Sequence, residues 1–128
     1  MAPSMPPLKL VIDAKPRTKK NSQQIIRVRG RAIIIPSSEY KKFEKAACKS
    51  IAMQWSGDPI VCPVNCQAII YRERNVGDAC NFYEAIADTL EKARVVANDK
   101  WIVSWDGSRL DKDAGRPRIE ITLSEVLP

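Results

Sequence analysis

The chain has 128 residues, 45% of them apolar, and carries a formal charge of +6 from 21 Lys and Arg against 15 Asp and Glu. This length predicts one domain, and the lack of an apolar run of roughly 20 residues or of a signal-like N-terminus predicts no membrane segment and a cytosolic or nucleoid-associated location. The absence of histidine excludes Ser-His-Asp and Cys-His catalysis, while the basic balance favours a nucleic acid as partner.

Residues 1–7 contain three prolines and are predicted to be a flexible lead-in before a domain spanning 8–128. Leu8–Ile12 alternates as a strand does. The segment Ala14–Gln24 is polar and cationic, which is typical of a solvated loop or of a loop that binds phosphate. Its residues suited to phosphate contact are Lys15, Arg17, Lys19, Lys20, Asn21 and Ser22.

Two short apolar runs, 25–28 and 31–36, flank the turn-prone dipeptide Arg29-Gly30 and predict a hairpin. A helix is expected over 39–55, capped by one of two serines, 37 or 38. Its helical spacing predicts a buried stripe at Tyr40, Phe43, Ala47, Ile51 and Met53 or Gln54, with lysines 41, 42, 45 and 49 on the opposite side. Those lysines form a solvated face or extend a DNA-binding track.

A strand is predicted over 60–72, and it leads to Arg72 and Arg74 just before the central helix. Each arginine suits either an ion pair or a contact with a substrate phosphate. Beyond the helix, strands are predicted at 101–106 and 118–123 as a hairpin around a polar loop at 107–117. The two tryptophans at 101 and 105 suit the core better than an interface. The elements together predict a single α+β domain with a small mixed sheet and two helices.

The stretch 77–102 organises the rest of the chain, because it reads as an amphipathic helix capped by Asp78. The buried stripe is predicted at Phe82, Ala85, Ile86, Leu90 and Ala93. The opposite face carries Asn81, Glu84, Asp88 and Glu91. Asn98 and Asp99 bring a further acid beyond the helix end, and Asp99 can meet Asp78 only if the following strand folds back beside the N-terminus of the helix. Such an acidic ladder is either a solvated helix face or, in a basic protein, a cation site.

The pattern D-x-x-N, six residues, D-x-L and then (N/D)-D resembles the core of the RusA family of Holliday-junction resolvases. Here it consists of Asp78, Asn81, Asp88, Leu90, Asn98 and Asp99, and residues 16–22 resemble the family's N-terminal P-x-x-x-N-x segment. The resemblance implies an endodeoxyribonuclease that cuts four-way DNA junctions in recombination and repair, acts as a homodimer and is frequently phage-derived. It also implies Mg²⁺, with Mn²⁺ as the alternative, as the cofactor.

Carboxylate oxygens suit Mg²⁺ at a phosphodiester, so the predicted metal ligands are Asp78, Asp99 and Asp88. The predicted catalytic residues are Asp78, Asp99 and Glu84. The predicted DNA-binding residues are Lys19, Lys20, Asn21, Arg72, Arg74 and Asn81.

Two positions depart from the family pattern. Cys80 stands where family members often have a second aspartate, and Glu84 stands where they often have a lysine. A thiol is a poor ligand for Mg²⁺, so Glu84 either restores the lost carboxylate one turn later or the chain is a weakened or inactive enzyme that still binds junction DNA. A nuclease of broader branched-DNA specificity is the further alternative. The other cysteines, 48, 62 and 66, lack paired C-x-x-C spacing and are expected to be free buried thiols.

Overall fold

The computed structural model describes residues 5–19, 23–36 and 38–128, with the backbone alone described at 23, 24 and 34–36. Its elements in chain order are β1 (Leu8–Ile12), β2 (Gln23–Val28), β3 (Arg31–Pro36), α1 (Ser38–Ala52), β4 (Val64–Arg72), α2 (Ala79–Lys92), a 3₁₀ turn (Asp99–Trp101), β5 (Ile102–Ser104), β6 (Arg109–Lys112) and β7 (Arg118–Glu125). The α+β class with a mixed sheet and two helices is confirmed. No helix among the described residues has the length and apolar character needed to cross a bilayer.

The main sheet is built on β4, which pairs antiparallel with β7 along one edge and parallel with the short strands β5 and β6 along the other. Strand β1 pairs antiparallel with β7 at the outside. The register places buried residues in rows across three strands, such as Leu10, Ile121 and Ala68. Because side chains alternate between the two faces of a strand, these rows define one apolar face.

Both helices contribute their predicted apolar stripes to this core. The buried residues of α1 are Tyr40, Phe43, Ala47 and Ile51, and those of α2 include Phe82, Ala85, Ile86 and Leu90, while Ala93 is partly buried. The helical spacing therefore predicted the inward faces correctly. The opposite face of α2 is left for the site.

The predicted hairpin between residues 101–106 and 118–123 is wrong, and the predicted loop after it contains β6. Between β5 and β6 the chain leaves β4, and side chains replace the missing ladder bonds. The Asn65 carboxamide accepts from the Asp106 amide and donates to the Asp106 carbonyl, and the Ser108 hydroxyl accepts from the Ala68 amide. This path depends on individual side-chain bonds, which hydrophobic periodicity does not reveal.

Two predicted boundaries also differ from the structure. Helix α1 ends at Ala52, and Met53 is 82% exposed, so the expected burial of residue 53 or 54 is wrong. Gln54 instead uses its carboxamide to accept from the Val11 amide and donate to the Val11 carbonyl on the edge strand β1. Strand β4 begins at Val64 because the preceding segment forms only an isolated bridge, from Ile60 to Val96. Met5 packs against the core, and residues 1–4 of the predicted lead-in lie outside the described residues.

Strands β2 and β3 form a separate two-stranded hairpin. Its two turn residues, Arg29 and Gly30, have φ angles of 51° and 79°. Positive φ at both central residues is the backbone of a two-residue type I′ turn, so the predicted hairpin is confirmed.

Candidate active site

The loop between β4 and α2 is organised by Arg72. Its guanidinium donates to the Asp111 carbonyl at 3.3 Å, to the Val76 and Gly77 carbonyls at 3.5 and 3.4 Å, and to the Asn75 side chain at 3.3 Å. Three of these acceptors lie in the turn that leads into α2, and the fourth, the Asp111 carbonyl, lies on β6. Arg72 therefore fixes the backbone that presents the next residue, Asp78.

Asp78 occupies the N-cap of α2 with extended φ and ψ of −94° and 146°. The expectation that its carboxylate accepts the amides of the first turn is wrong, because the side chain makes no capping hydrogen bond. The residue is exposed. Its oxygens are consequently not used for helix capping.

The chain reverses direction after α2 and returns beside it. Arg94 takes a left-handed φ of 62°, and the Val95 amide donates to the Leu90 carbonyl at 2.9 Å, as at the C-terminus of many helices. The Asp99 amide then donates to Glu91 Oε1 at 2.9 Å, and the Asn98 side chain caps the 3₁₀ turn. A return of the chain was expected from the sequence, but as a strand that brings Asp99 beside Asp78 at the start of α2, whereas the Asp99 backbone is bonded to Glu91 near the end of the helix. The positioning role of Glu91 was not expected, since its spacing shows only that it belongs to the polar face.

The returning segment and α2 enclose a cleft of about 380 Å³, here called the acidic cleft. It is lined by Cys80, Tyr83, Glu84, Ala87, Asp88, Asp99 and Trp105. The structure thus brings together three of the predicted acids, Glu84, Asp88 and Asp99. Asp78 is not among the lining residues.

The chemistry of the donor set was tested against the divalent metal that the resemblance implies. Among the residues that the structure describes, no three His, Cys, Asp or Glu side chains come close enough to enclose an ion. Mg²⁺ in nucleic-acid enzymes usually uses one or two carboxylates and completes its shell with water and substrate phosphate. The carboxylates of the acidic cleft fit that requirement, whereas the Cys80 sulfur does not.

Lys19 from the N-terminal loop contacts this cleft directly. Its Nζ lies 2.9 Å from Asp88 Oδ2 and 5.8 Å from the centroid of the Tyr40 ring. The hydrogen bond to Asp88 raises the pKa of Lys19 against the opposing effect of burial, with further support from the charges of Glu44 and Glu84. A predicted DNA-binding residue and a predicted metal ligand are therefore paired with each other.

A second cleft of about 260 Å³ lies at the start of α2 and is called the cationic cleft. Its lining residues are Lys15, Pro16, Arg17, Thr18, Glu39, Arg72, Glu73, Arg74, Val76 and Phe82. Two of its cations are paired, Lys15 with Glu73 at 3.2 Å and Arg17 with Glu39 at 4.0 Å. Exposed pairs of this kind contribute little energy, so a phosphate can replace the carboxylate partner.

The remaining predicted DNA-binding residues are distributed unevenly. The Arg74 side chain is exposed and makes no hydrogen bond or ion pair within the described part of the chain, while its backbone carbonyl accepts from the Val76 amide. Asn81 is half-buried on α2 and lines neither cleft. Lys20 and Asn21 lie outside the described residues.

An aromatic wall of the acidic cleft was missed by sequence reasoning. The rings of Tyr83 and Trp105 stack with centroids 4.7 Å apart and planes 9° from parallel. Trp105 reaches this place because it lies where the chain leaves β4 between β5 and β6. The position of Trp105 in the cleft could not be predicted from the sequence, because the path of the chain between β5 and β6 depends on side-chain hydrogen bonds.

An α+β domain whose second helix contributes residues both to a carboxylate-lined cleft and to a cationic one belongs to the class of proteins suited to binding a phosphodiester backbone. The chain belongs to the RusA family: the family model described as Endodeoxyribonuclease RusA matches residues 9–124. A comparison with curated proteins found no match. Membership in this family indicates endodeoxyribonuclease activity on branched, Holliday-type DNA junctions.

Proposed function

We propose that the chain is a Mg²⁺-dependent endonuclease that hydrolyses phosphodiester bonds in four-way DNA junctions during recombination and repair. The observation that supports this most strongly is the meeting of Glu84, Asp88 and Asp99, from two separate segments, in the acidic cleft. Asp99 and Asp88 would hold the metal, with Asp78 at the adjacent start of α2 and Glu84 as the carboxylate that compensates for Cys80. Mn²⁺ has the same preference for oxygen ligands and is the alternative ion.

When bound, the metal would stabilise the charge that develops on the phosphate oxygens and promote ionisation of water. The protein's own residues bind and orient the DNA. Arg74 and the exchangeable cations of the cationic cleft contact the backbone phosphates, and Arg72 holds the loop that carries Asp78. Glu91 keeps the 3₁₀ turn in place and so sets the position of Asp99.

The test is cleavage of a synthetic four-way junction with Mg²⁺, beside linear duplex and a flap substrate. Asp78→Asn and Asp99→Asn should each lower the rate by at least about 100-fold, while leaving junction binding in EDTA within about threefold, since each removes a charge without changing side-chain size. Asp58→Asn is the matched control, because Asp58 is exposed and remote in sequence from both clefts.

The Glu84→Ala variant distinguishes the two interpretations of Cys80 and Glu84, namely a metal-binding carboxylate moved to position 84 or a weakened enzyme. A large loss of cleavage with retained binding supports relocation of the carboxylate, and cleavage as fast as the parent's rejects it. If the parent binds the junction but does not cut it, the chain is a junction-binding protein. If it cuts flaps as fast as junctions, its specificity is broader than proposed.

Symmetric cutting of two opposed strands requires two active sites, so a two-fold homodimer is part of the proposal. Sedimentation equilibrium of the chain, alone and with junction DNA, should give two protomers per junction. A stoichiometry of one protomer would contradict it.

A further inference from the structure

The hairpin of β2 and β3 is set apart from the rest of the fold. Within the described residues, its two strands make extensive contact only with each other. A lone two-stranded hairpin is at best marginally stable in water, so such an element ordinarily requires a binding partner. The type I′ turn at Arg29 and Gly30 favours the hairpin locally but covers neither face.

Both faces of the hairpin carry exposed apolar side chains. In the observed register, Ile26 faces the same side as Ile33 and is 38% exposed, while Ile33 is 40% exposed. Ile25 points to the opposite side and is 73% exposed. Neighbouring residues of a strand face opposite ways, so folding against one surface of this chain would leave the other side open.

The charge of the hairpin identifies its partner. Residues 23–36 contain three arginines and no acid, and the positions outside the described residues also hold no Asp or Glu. Arg27, Arg29 and Arg31 are all exposed, and none forms an ion pair within the described part of the chain. Pairing two copies through this element would bring six arginines together without a counter-charge, which is unfavourable, whereas a polyphosphate supplies the missing charge.

The position of the hairpin also fits a DNA partner. Lys19 contacts Asp88 at the acidic cleft, and β2 begins four residues later. Four residues span at most about 14 Å, so the start of β2 lies within that distance of the Lys19 backbone. The six residues of β2 extend for roughly 17 Å, so the arginines of the hairpin lie within a few nanometres of the cleft.

We infer that the β2–β3 hairpin is a DNA-contacting arm, with arginines that bind backbone phosphates flanking the cleaved site and apolar residues that contact bases exposed at the branch point. This inference rests on the proposed function for its choice of DNA. Apolar side chains insert between base steps in many proteins that bind distorted DNA, and unstacked bases at a junction offer such contacts without the cost of separating them. The arm therefore contributes to the preference for junction over duplex.

The test uses the whole chain, a fluorescent four-way junction and a linear duplex, with binding measured in EDTA over a series of salt concentrations. Arg27→Gln/Arg31→Gln removes two charges and leaves the turn residues intact. The slope of log affinity against log salt should decrease by about two, and affinity near 100 mM salt should fall by about tenfold. Lys9→Gln/Lys112→Gln is the matched control, because both lysines are exposed, line neither cleft and also lack an ion pair within the described residues. An equal loss in the control would overturn the inference.

A second variant, Ile25→Thr/Ile33→Thr, keeps β-forming residues and should lower junction affinity at least threefold more than duplex affinity. Its thermal unfolding should match the parent's, since neither residue is in the core. If this variant instead dissociates a dimer while both DNA affinities and their salt slopes stay unchanged, the hairpin is an interface between copies and the inference is wrong. If the unmodified chain binds the junction but does not cleave it, the proposed nuclease function is wrong and the inference about the hairpin is unaffected. If the unmodified chain cleaves the junction and the Arg27→Gln/Arg31→Gln variant keeps the parent's salt slope, the inference about the hairpin is wrong and the proposed function is unaffected.

Discussion

Arg72 and Arg74 are two residues apart and were both predicted to bind DNA, yet the structure separates their environments. Arg72 makes three hydrogen bonds of 3.3–3.5 Å to the loop before α2 and a fourth to the Asp111 carbonyl on β6, whereas Arg74 is exposed. Such long, partly exposed bonds lie at the weak end of the usual range, about 0.5 kcal/mol each, or about 1.5 kcal/mol for the three that hold the loop. Arg72→Met should therefore shift the equilibrium between the ordered and the disordered loop by roughly 10-fold toward disorder.

Because that loop carries Asp78, the turnover number of Arg72→Met at saturating junction should fall by up to about 10-fold, with DNA affinity and its salt slope nearly unchanged. Arg72→Lys keeps the charge but not the planar set of donors, so it should lose turnover to a similar extent. Arg74→Met should do the opposite: turnover is kept, affinity falls and the salt slope decreases by about one.

Single-turnover cleavage and equilibrium binding in EDTA measure the two effects separately. The reasoning is refuted if Arg72→Lys cleaves as fast as the parent while Arg72→Met loses one unit of salt slope. That result would show that Arg72 acts through its charge on a phosphate and not through the loop.

Three further predictions concern the pair and the thiols around the core and cleft. A double-mutant cycle with Lys19→Met and Asp88→Asn, measured by urea unfolding, should give a coupling free energy of about 0.5–1 kcal/mol, because both side chains are partly exposed. A coupling of zero would show that the 2.9 Å ion pair contributes nothing to the stability of the fold. Iodoacetamide at pH 8 should modify the exposed Cys80 before the buried Cys66, and the added group should abolish cleavage by filling the acidic cleft. The Cys80→Ser variant should keep its cleavage activity under the same treatment. Full activity of protein that mass spectrometry shows to be alkylated once, at Cys80, would contradict this prediction. Burial raises the pKa of Cys66 from 9.0 to about 12, so the thiolate forms first in the unfolded chain. The free energy of unfolding should therefore fall as pH rises above 9, by about 1 kcal/mol between pH 9 and 10. Cys66→Ala should reduce this fall in denaturant titrations at several pH values, and an unchanged fall would exclude Cys66 as its source.

The sequence predicted most reliably what depends on periodicity. The buried stripes of α1 and α2 follow from helical spacing, and the alternation of Ile119, Ile121 and Leu123 in β7 follows from strand spacing. The turn at residues 29–30 was also predictable, because Gly30 adopts positive φ at no steric cost between two apolar runs, although the left-handed φ of Arg29 is unusual for a residue with a side chain. These features depend on residues close together in the chain.

The errors lie where distant side chains decide the path. The parallel pairing of β5 and β6 with β4 depends on Asn65 and Ser108, and the early end of α1 accompanies the contact of Gln54 with β1. In the candidate site, the sequence predicted that Asp99 would meet Asp78, but the acids that line the acidic cleft together with Asp99 are Glu84 and Asp88. Two further features were not predicted: the hydrogen bond from the Asp99 amide to Glu91, and the hydrogen bonds of Arg72 to its own loop. Hydrogen bonds of a polar side chain leave no periodic pattern in the sequence.

Helix α2 bears its core contacts and its chemistry on opposite sides. A substitution at the exposed position 80 alters the side that faces solvent, whereas Phe82, Ile86 and Leu90 are buried on the other side of the helix. The side chains that line the acidic cleft can therefore be exchanged at little cost in folding free energy, which makes this face of α2 a suitable place to redesign the donor set.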